Sequence, residues 1–319
     1  MSPLTSWLAS PSPEAAVELS PERVTVATLT SRGGRLVVPA HVVEPLPAGA
    51  VVPSLLHTNI ADPAAVAAGL RAALDRLGSR PRRVALVIPD LTAKVSLVRF
   101  EQLPPRREDL DQLVRWQLRK STPFPIEDAS VTYTAGARAL DGHELLTVVA
   151  RREVVREYES VCEAVGAHAG LVDVTTLSVL NLFLVPQTVP ASDTLVLYMR
   201  PDHTSLAILR GEHVIFYRNR PEGDDETLAD LVHQTSMYYE DRLAGQGFAR
   251  VFVGGSGRTP AAFEATRASL EERLGVRTQA IDPSDVAAST EHINLSSDQM
   301  DVLAPLVGIL ARSRQGVAA

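Results

Sequence analysis

Few side chains in this sequence stand at spacings that could do chemistry. Asp202, His203 and Ser205 are the right types for nucleophilic hydrolysis, where a base activates a hydroxyl and an acid orients the base. Crowded into one short run, they read instead as a turn. The pairs Asp224-Asp225 and Glu271-Glu272 could share acid–base work, but they fall at a helix start or on a helix face, where adjacent carboxylates are routine. Asp173 follows an apolar strand, so it reads either as a catalytic carboxylate or as a cap for the helix near Thr176. The eight histidines are dispersed, with no pair at metal-ligand spacing. Cys162, the sole cysteine, lies with Val154, Val155, Tyr158, Val161 and Val165 at helical spacing and reads as core; no intrachain disulfide can form. Val251-Phe252-Val253-Gly254-Gly255-Ser256-Gly257 is a strand running into a glycine turn, which is common after a buried strand without any ligand. Its order is not that of the hydrolase nucleophile elbow. No catalytic residue, metal or cofactor is assigned.

The composition narrows the class of protein. At 319 residues the chain can build one large core or two ordinary domains. With 45% hydrophobic and 22% charged residues it has the balance of a globular protein. A net charge of -7 and a pI near 5.7 speak against a nucleic-acid partner, which calls for a basic stripe. Arg80-Pro81-Arg82-Arg83 reads as a solvated turn. No run approaches the ~20 apolar residues of a membrane span, and the N-terminus has neither the basic start nor the apolar stretch of a signal peptide. Residues 1–13, rich in Pro and Ser, read as a flexible tail in which Trp7 and Leu8 are the docking candidates. The expectation is a cytoplasmic protein without direct membrane insertion.

The elements that must position these residues fall into a repeated order. Ala15–Leu29 reads as a strand, Arg35–Pro45 as a second and Val51–His57 as a short third. Asp62-Pro63 opens a helix, with Asp62 as cap, Pro63 at the first position, Val66, Leu70, Leu74 and Leu77 on the buried face, and Gly78 as terminator. Arg83–Ile88 is a continuous apolar run, the pattern of a strand covered on both faces. The second half repeats this: strands at Thr194–Met199, Thr204–Leu209 and His213–Arg218, a helix from Asp224-Asp225 to about Leu243, and a strand at Arg250–Val253. Three strands, a helix and a strand, twice over, resemble the ribonuclease-H-like unit duplicated in actin-like proteins. Between the halves lie a strand at Lys94–Phe100, a helix at Arg107–Lys120, a strand pair at Ala129–Arg138 and Glu144–Ala150, and a helix at Glu153–Val165. The chain returns through Leu171–Val174 and a helix near Thr176–Val185, with Pro186–Pro190 crossing to the second half. Met300–Arg312 reads as an apolar-faced helix broken by Pro305.

The most specific motif is the exit of the Arg107–Lys120 helix. Leu110, Leu113, Val114 and Leu118 share one face, and Trp116 stands among Arg115 and Arg119. Pro123 and Pro125 force Thr122 and Phe124 out of helical geometry, so the chain leaves extended towards Tyr133. This Trp helix, Pro-Phe-Pro turn and Tyr-closed strand resemble the insert of PilM, the type IV pilus assembly family, and its position matches the small extra subdomain of PilM and its cell-division relative FtsA. The resemblance implies a duplicated ribonuclease-H-like, actin-like ATPase fold of the α/β class. It implies a first subdomain at 14–100 and 167–190, an inserted α+β subdomain at 101–166 and a reduced second subdomain at 191–319.

That family binds nucleotide phosphates with two hairpins built on Asp-x-Gly elements, and both are degenerate here. In the first, Glu18 stands for the Asp, Ser20 for the Gly and Thr25 for a Lys, while Pro21 removes an amide donor and Glu22 adds negative charge. In the second, Tyr198 stands for the Asp and Arg200 for the Gly, and Pro201 deletes another donor. Tyrosine cannot anchor Mg²⁺, which takes carboxylate and water oxygens. The adenine-side turn, Gly254, Gly255 and Gly257, survives best. Only Asn219–Gly223 precedes the Asp224 helix, which leaves no room for the subdomain forming the far wall of the nucleotide cleft in PilM. The expectation is a scaffold without catalysis; the alternative is an ATP-binding switch of the same family, and a more distant one is a GspL-like secretion protein. By resemblance, the cytoplasmic N-terminal tail of a PilN-like membrane protein lies extended in a channel between the first domain and its small insert, lined by the Lys94–Phe100 strand and the Arg107–Lys120 helix, with Arg99, Phe100, Arg115, Trp116 and Arg119 as the contact candidates. Pilus motor or platform proteins are further candidate partners, and recruitment to the inner membrane would come through the partner.

Overall fold

The computed structural model describes residues 12–33, 35–139, 142–185, 192–223, 227–255, 260–289 and 297–318. The expected tail up to residue 11, Gly257, the Pro186–Pro190 crossover and Asp224-Asp225 lie outside them.

The first half begins with β1 (Ala15–Leu19) and β2 (Arg23–Thr28), an antiparallel hairpin. The single strand expected over Ala15–Leu29 is therefore split at Ser20-Pro21-Glu22, because Pro21 cannot donate to a ladder. After β3 (Thr30–Arg32) come β4 (Arg35–Val38) and β5 (His41–Pro45), so the second expected strand is also two. The third strand expected at Val51–His57 is a loop with one bridge, Val51 to Ile60. Asn59 explains this: its side chain accepts from the Ser54 amide at 2.9 Å and donates to the carbonyls of Ser54 and His57, closing the loop on itself. Helix α1 (Pro63–Leu77) is capped as its sequence dictates, with Asp62 accepting from the Ala65 amide and Gly78 in the left-handed region at φ 68°.

Next come β6 (Arg83–Ile88), β7 (Ala93–Phe100), α2 (Arg107–Leu118), β8 (Ala129–Ala139), β9 (Gly142–Arg151), α3 (Arg152–Glu163), β10 (His168–Val174) and α4 (Thr175–Leu184). The second half holds β11 (Thr194–Met199), β12 (His203–Arg210), β13 (His213–Pro221), α5 (Leu228–Leu243), β14 (Arg250–Gly254), α6 (Pro260–Leu274), β15 (Thr278–Ala280), β16 (Ala287–Ser289) and α7 (Ser297–Ala318). Helix α5 starts at a capping box between Thr227 and Asp230.

Sheet order reveals the duplication that the sequence shows only as a succession of elements. The first large sheet runs β10-β6-β1-β2-β5 and the second β13-β12-β11-β14-β15. Each has an antiparallel meander whose first strand pairs in parallel with the strand after the helix. This is the duplicated ribonuclease-H-like, actin-like fold. Strands β16, β4 and β3 form a small third sheet. A fourth sheet, β7-β9-β8, carries α2 on one face over Phe100, Val114, Leu118, Ile126, Leu145 and Val149.

Helix α7 runs unbroken through Pro305, contrary to the break expected there. Proline cannot donate to the carbonyl four residues back; that carbonyl, of Asp301, accepts instead from the Tyr198 hydroxyl at 3.2 Å. Helices α7 and α4 cross where a Cβ on Gly308 would lie 1.9 Å from the Ser178 carbonyl oxygen, so only glycine permits this approach.

Candidate functional site

The ends of β1 and β11 point at each other across the junction of the halves. Glu18 and Arg200, the residues that replace family Asp and Gly, form a buried pair, with Nη2 3.9 Å from Oε1. The Thr175 hydroxyl donates to the Ile88 carbonyl at 3.2 Å and lies 3.4 Å from Glu18 Oε1. Burial disfavours the charged guanidinium, but Glu18 outweighs it and holds the arginine firmly protonated. Ser20 only closes the turn, its hydroxyl donating to the Arg23 carbonyl at 3.0 Å, and Thr25 is buried in the sheet.

Beside this pair lies a second ionic bridge that the sequence reading missed. His203 Nε2 is 2.9 Å from Asp90 Oδ2 and Nδ1 is 2.8 Å from Asp202 Oδ1. Both ring nitrogens face carboxylates, which only accept, so the imidazole carries both protons. Burial alone would lower its pKa, but the two aspartates outweigh that and push it up to about 9. Asp90 also accepts from the Thr176 amide at 2.9 Å and from its hydroxyl at 2.8 Å. It thereby takes the donors at the start of α4, where an anion would otherwise be welcome. Asp173, read from sequence as either a catalytic carboxylate or a cap for this helix, accepts from the Val174 amide at 2.8 Å. The signal that could have revealed the bridge is Pro89-Asp90 after a buried strand, matched to a histidine opening a strand in the other half.

Tyr198 and the glycine turn are absorbed in the same way. Tyr198 is fully buried and spends its hydroxyl on the Asp301 carbonyl. Gly255 donates its amide to Asp301 Oδ1 at 2.8 Å, and at φ 119° a Cβ there would stand 1.7 Å from the Met199 carbonyl oxygen. Gly254 packs against Ile281. Gly255 thus closes on β11 and α7. A nucleoside triphosphate with its metal does not fit this residue set. Its anion donors are engaged by Asp90 and Asp301, and the carboxylate at the first hairpin is neutralised by an internal arginine.

The five residues assigned to a partner groove differ in exposure. Phe100 is buried in the core beneath α2. Arg115 donates to the carbonyls of Ile126 and Ala129, pinning the Pro-Phe-Pro exit. Trp116 is 65% exposed, contrary to the expectation that it is packed in an interface, because it lies opposite the Val114–Leu118 face. Arg99 and Arg119 are exposed. A concavity of about 640 Å³ lies between β8, β10, α4, the β12–β13 turn and α7, with Leu171, Leu177, Leu184 and Ile309 among its walls. A second, about 620 Å³, lies between α2 and β8. Cys162 is buried in the first core, which pushes its thiol up to about 12 and leaves it unreactive.

Comparison with known proteins agrees with this geometry. A solved structure described as the PilM-PilN type IV pilus biogenesis complex is similar over 96% of this chain and 99% of that one, with a TM-score of 0.76 and 18% identity. A Bacteroides thetaiotaomicron protein of actin-like ATPase fold and unknown function aligns over 88% of this chain and 94% of its own, at 11% identity and a TM-score of 0.48. The cytoplasmic domain of EpsL, an inner-membrane component of the type II secretion system of Vibrio cholerae, aligns over 95% and 94%, at 9% identity and a TM-score of 0.47. The sequence pattern of the type IV pilus assembly protein PilM matches residues 16–247. The chain belongs to the PilM family of type IV pilus assembly proteins.

Proposed function

We propose that this protein is a non-catalytic cytoplasmic scaffold of a type IV pilus assembly platform at the inner membrane. In this reading it grips the extended cytoplasmic tail of a PilN-like bitopic membrane protein. The observation that carries the non-catalytic part is the pair of buried ionic bridges, Glu18–Arg200 and Asp90–His203. They join the halves at the place where relatives of this fold hold phosphates, so the closed arrangement draws on side chains of the chain itself. The partner follows from family membership and from the similarity to a PilM-PilN complex. Among the described residues no helix is long and apolar enough to cross a membrane, so recruitment would come through the partner. In this reading the tail lies in the cavity between β8, β10 and α4.

The test is to titrate the purified protein into a labelled peptide of the partner's cytoplasmic tail, with and without Mg-ATP. Saturable binding of equal strength in both conditions, weakened by Leu184→Arg in a variant that still folds, is expected. Binding that requires Mg-ATP would instead make the protein a nucleotide switch.

A further inference from the structure

The outward face of α2 carries a large aromatic and two cations that the fold leaves unused. Trp116 is the most exposed of the large apolar side chains among the described residues. Arg119 and Lys120 follow it at three and four residues, the spacing of neighbours on one helix face, and both are exposed. Arg119 keeps helical dihedrals, at φ -52° and ψ -41°, so this face continues past the last residue of α2. Among the described residues neither cation pairs with a carboxylate.

The usual task of cations at a helix C-terminus, serving its free carbonyls, falls to other groups here. Ser121 and Thr122 return their amides and hydroxyls to the Leu118 carbonyl, and Lys94 donates to the Ser121 carbonyl. Arg115 ties the exit to the helix through the Ile126 and Ala129 carbonyls. Trp116, Arg119 and Lys120 therefore sit on a turn fixed at several points.

The sheet beneath α2 sets where this face looks. On β9, Leu145 and Val149 pack under α2, whereas Leu146 and Val148 border the 640 Å³ cavity on the opposite face. The indole and its cations point away from that cavity, with the sheet between. Opposing charge stands apart from them as well. Glu108 and Asp109 lie in the first turn of α2, which puts Asp109 ~15 Å along the axis from Arg119. That exceeds the ~8 Å screening length of physiological salt. Glu127 and Asp128 lie past the Pro-Phe-Pro exit, where Arg115 and Arg152 donate to the carbonyls around them.

An indole beside two unpaired cations suits the boundary of an anionic bilayer. The ring settles among headgroups with its N–H toward water, and the cations are drawn to the lipid phosphates. We propose that the Trp116, Arg119 and Lys120 face of α2 lies on the anionic cytoplasmic leaflet as a peripheral contact that does not span it. This goes beyond the scaffold reading: the partner would bring the protein to the membrane, and this face would set which way up it lies there. Charge complementarity selects the lipid. A chain of net charge -7 is repelled by an anionic leaflet as a whole, so it approaches through a local basic face with an apolar centre. One aromatic and two cations make the contact weak and reversible, which suits a protein also held by a partner.

The probe is the intact chain carrying Trp7→Phe, which leaves Trp116 as its single tryptophan. Its emission is followed on adding vesicles of phosphatidylglycerol mixed with phosphatidylethanolamine, or of phosphatidylcholine alone, with and without brominated acyl chains. On the anionic vesicles Trp116 should shift to the blue and be quenched by brominated lipid, and on phosphatidylcholine much less. Arg119→Glu combined with Lys120→Glu should lower the apparent vesicle affinity at least ~10-fold, since each cation near such a surface contributes about fivefold. Sedimentation with the same vesicles reads Trp116→Ala, which keeps the fold because the indole is exposed, and should show a loss of ~5-fold or more. Emission unmoved by anionic vesicles, or an equal response to both lipids, overturns the proposal and leaves the scaffold reading to its own peptide titration. Emission that shifts with protein concentration in the absence of vesicles assigns the face to a second copy of the chain, and overturns it too.

Discussion

His203 offers the sharpest handle on how the two halves are held together. The perturbation is His203→Gln, which keeps a polar side chain but removes the charge between Asp90 and Asp202. In the folded protein the imidazole titrates at about 9, against 6.5 for an exposed histidine. A raised pKa contributes stability that is complete below the unfolded value and is lost as pH climbs through the folded one. The pH-dependent part amounts to about 3 kcal/mol near pH 6, about 2 kcal/mol near pH 7.5 and under about 0.5 kcal/mol near pH 9. Urea unfolding of wild type and variant across that range measures the difference. Asp173 also titrates near 7, but it does so in both proteins and cancels. The difference should shrink by about 3 kcal/mol from acid to alkaline conditions, above whatever constant cost the substitution carries. A gap that stays level from pH 6 to 9, or an imidazole resonance titrating near 6.5, would show that His203 is not a buried imidazolium clamp.

Other expectations follow from the same geometry. Mg-ATP should bind no tighter than millimolar, about -4 kcal/mol, because Asp90, Asp301 and Arg200 already engage the groups a nucleotide would use; calorimetry giving micromolar affinity refutes this. Tyr198→Phe should cost about 1–3 kcal/mol by removing the buried hydrogen bond to the Asp301 carbonyl. Pro305→Ala should recover part of that loss in the double variant, since the helix then supplies an amide to the same carbonyl; strict additivity in chemical unfolding would count against it. Trp116→Ala should shift stability by less than about 0.5 kcal/mol, whereas Phe100→Ala should cost about 3–5 kcal/mol, and comparable unfolding midpoints for the two would mean that the burial assigned to them is wrong.

Much of the architecture is local and therefore readable before folding. Helix α1 is written in Asp62, Pro63, the spacing of its leucines and Gly78, and the structure returns each in its expected role. Strand β6 is a run too apolar to face water and too short to be a helix. The Pro-Phe-Pro exit is equally local, since a proline restricts its predecessor wherever it stands. Errors arise where one residue's partner lies far along the chain. Trp116 looks like an anchor from its type alone, but its helix turns the Val114–Leu118 face inward and leaves the indole outside. Pro305 looks like a break until the Tyr198 hydroxyl takes the carbonyl that proline leaves unserved.

The candidate site divides along the same line. By itself the sequence determined that neither hairpin keeps the Asp and the Gly of the family's Asp-x-Gly element, because that is a matter of which residue stands at which step of a local motif. What replaces them was settled only by the tertiary structure: Glu18 reaches Arg200, Asp90 reaches His203 and the start of α4, and Asp301 reaches Gly255. Strands β8 and β10 likewise belong to two different sheets and border one cavity only after both have formed. The physical reason is that burial sets the worth of a charge or an edge. A residue's type shows what it could bond, while its distant neighbours decide whether water, another side chain or a partner satisfies it.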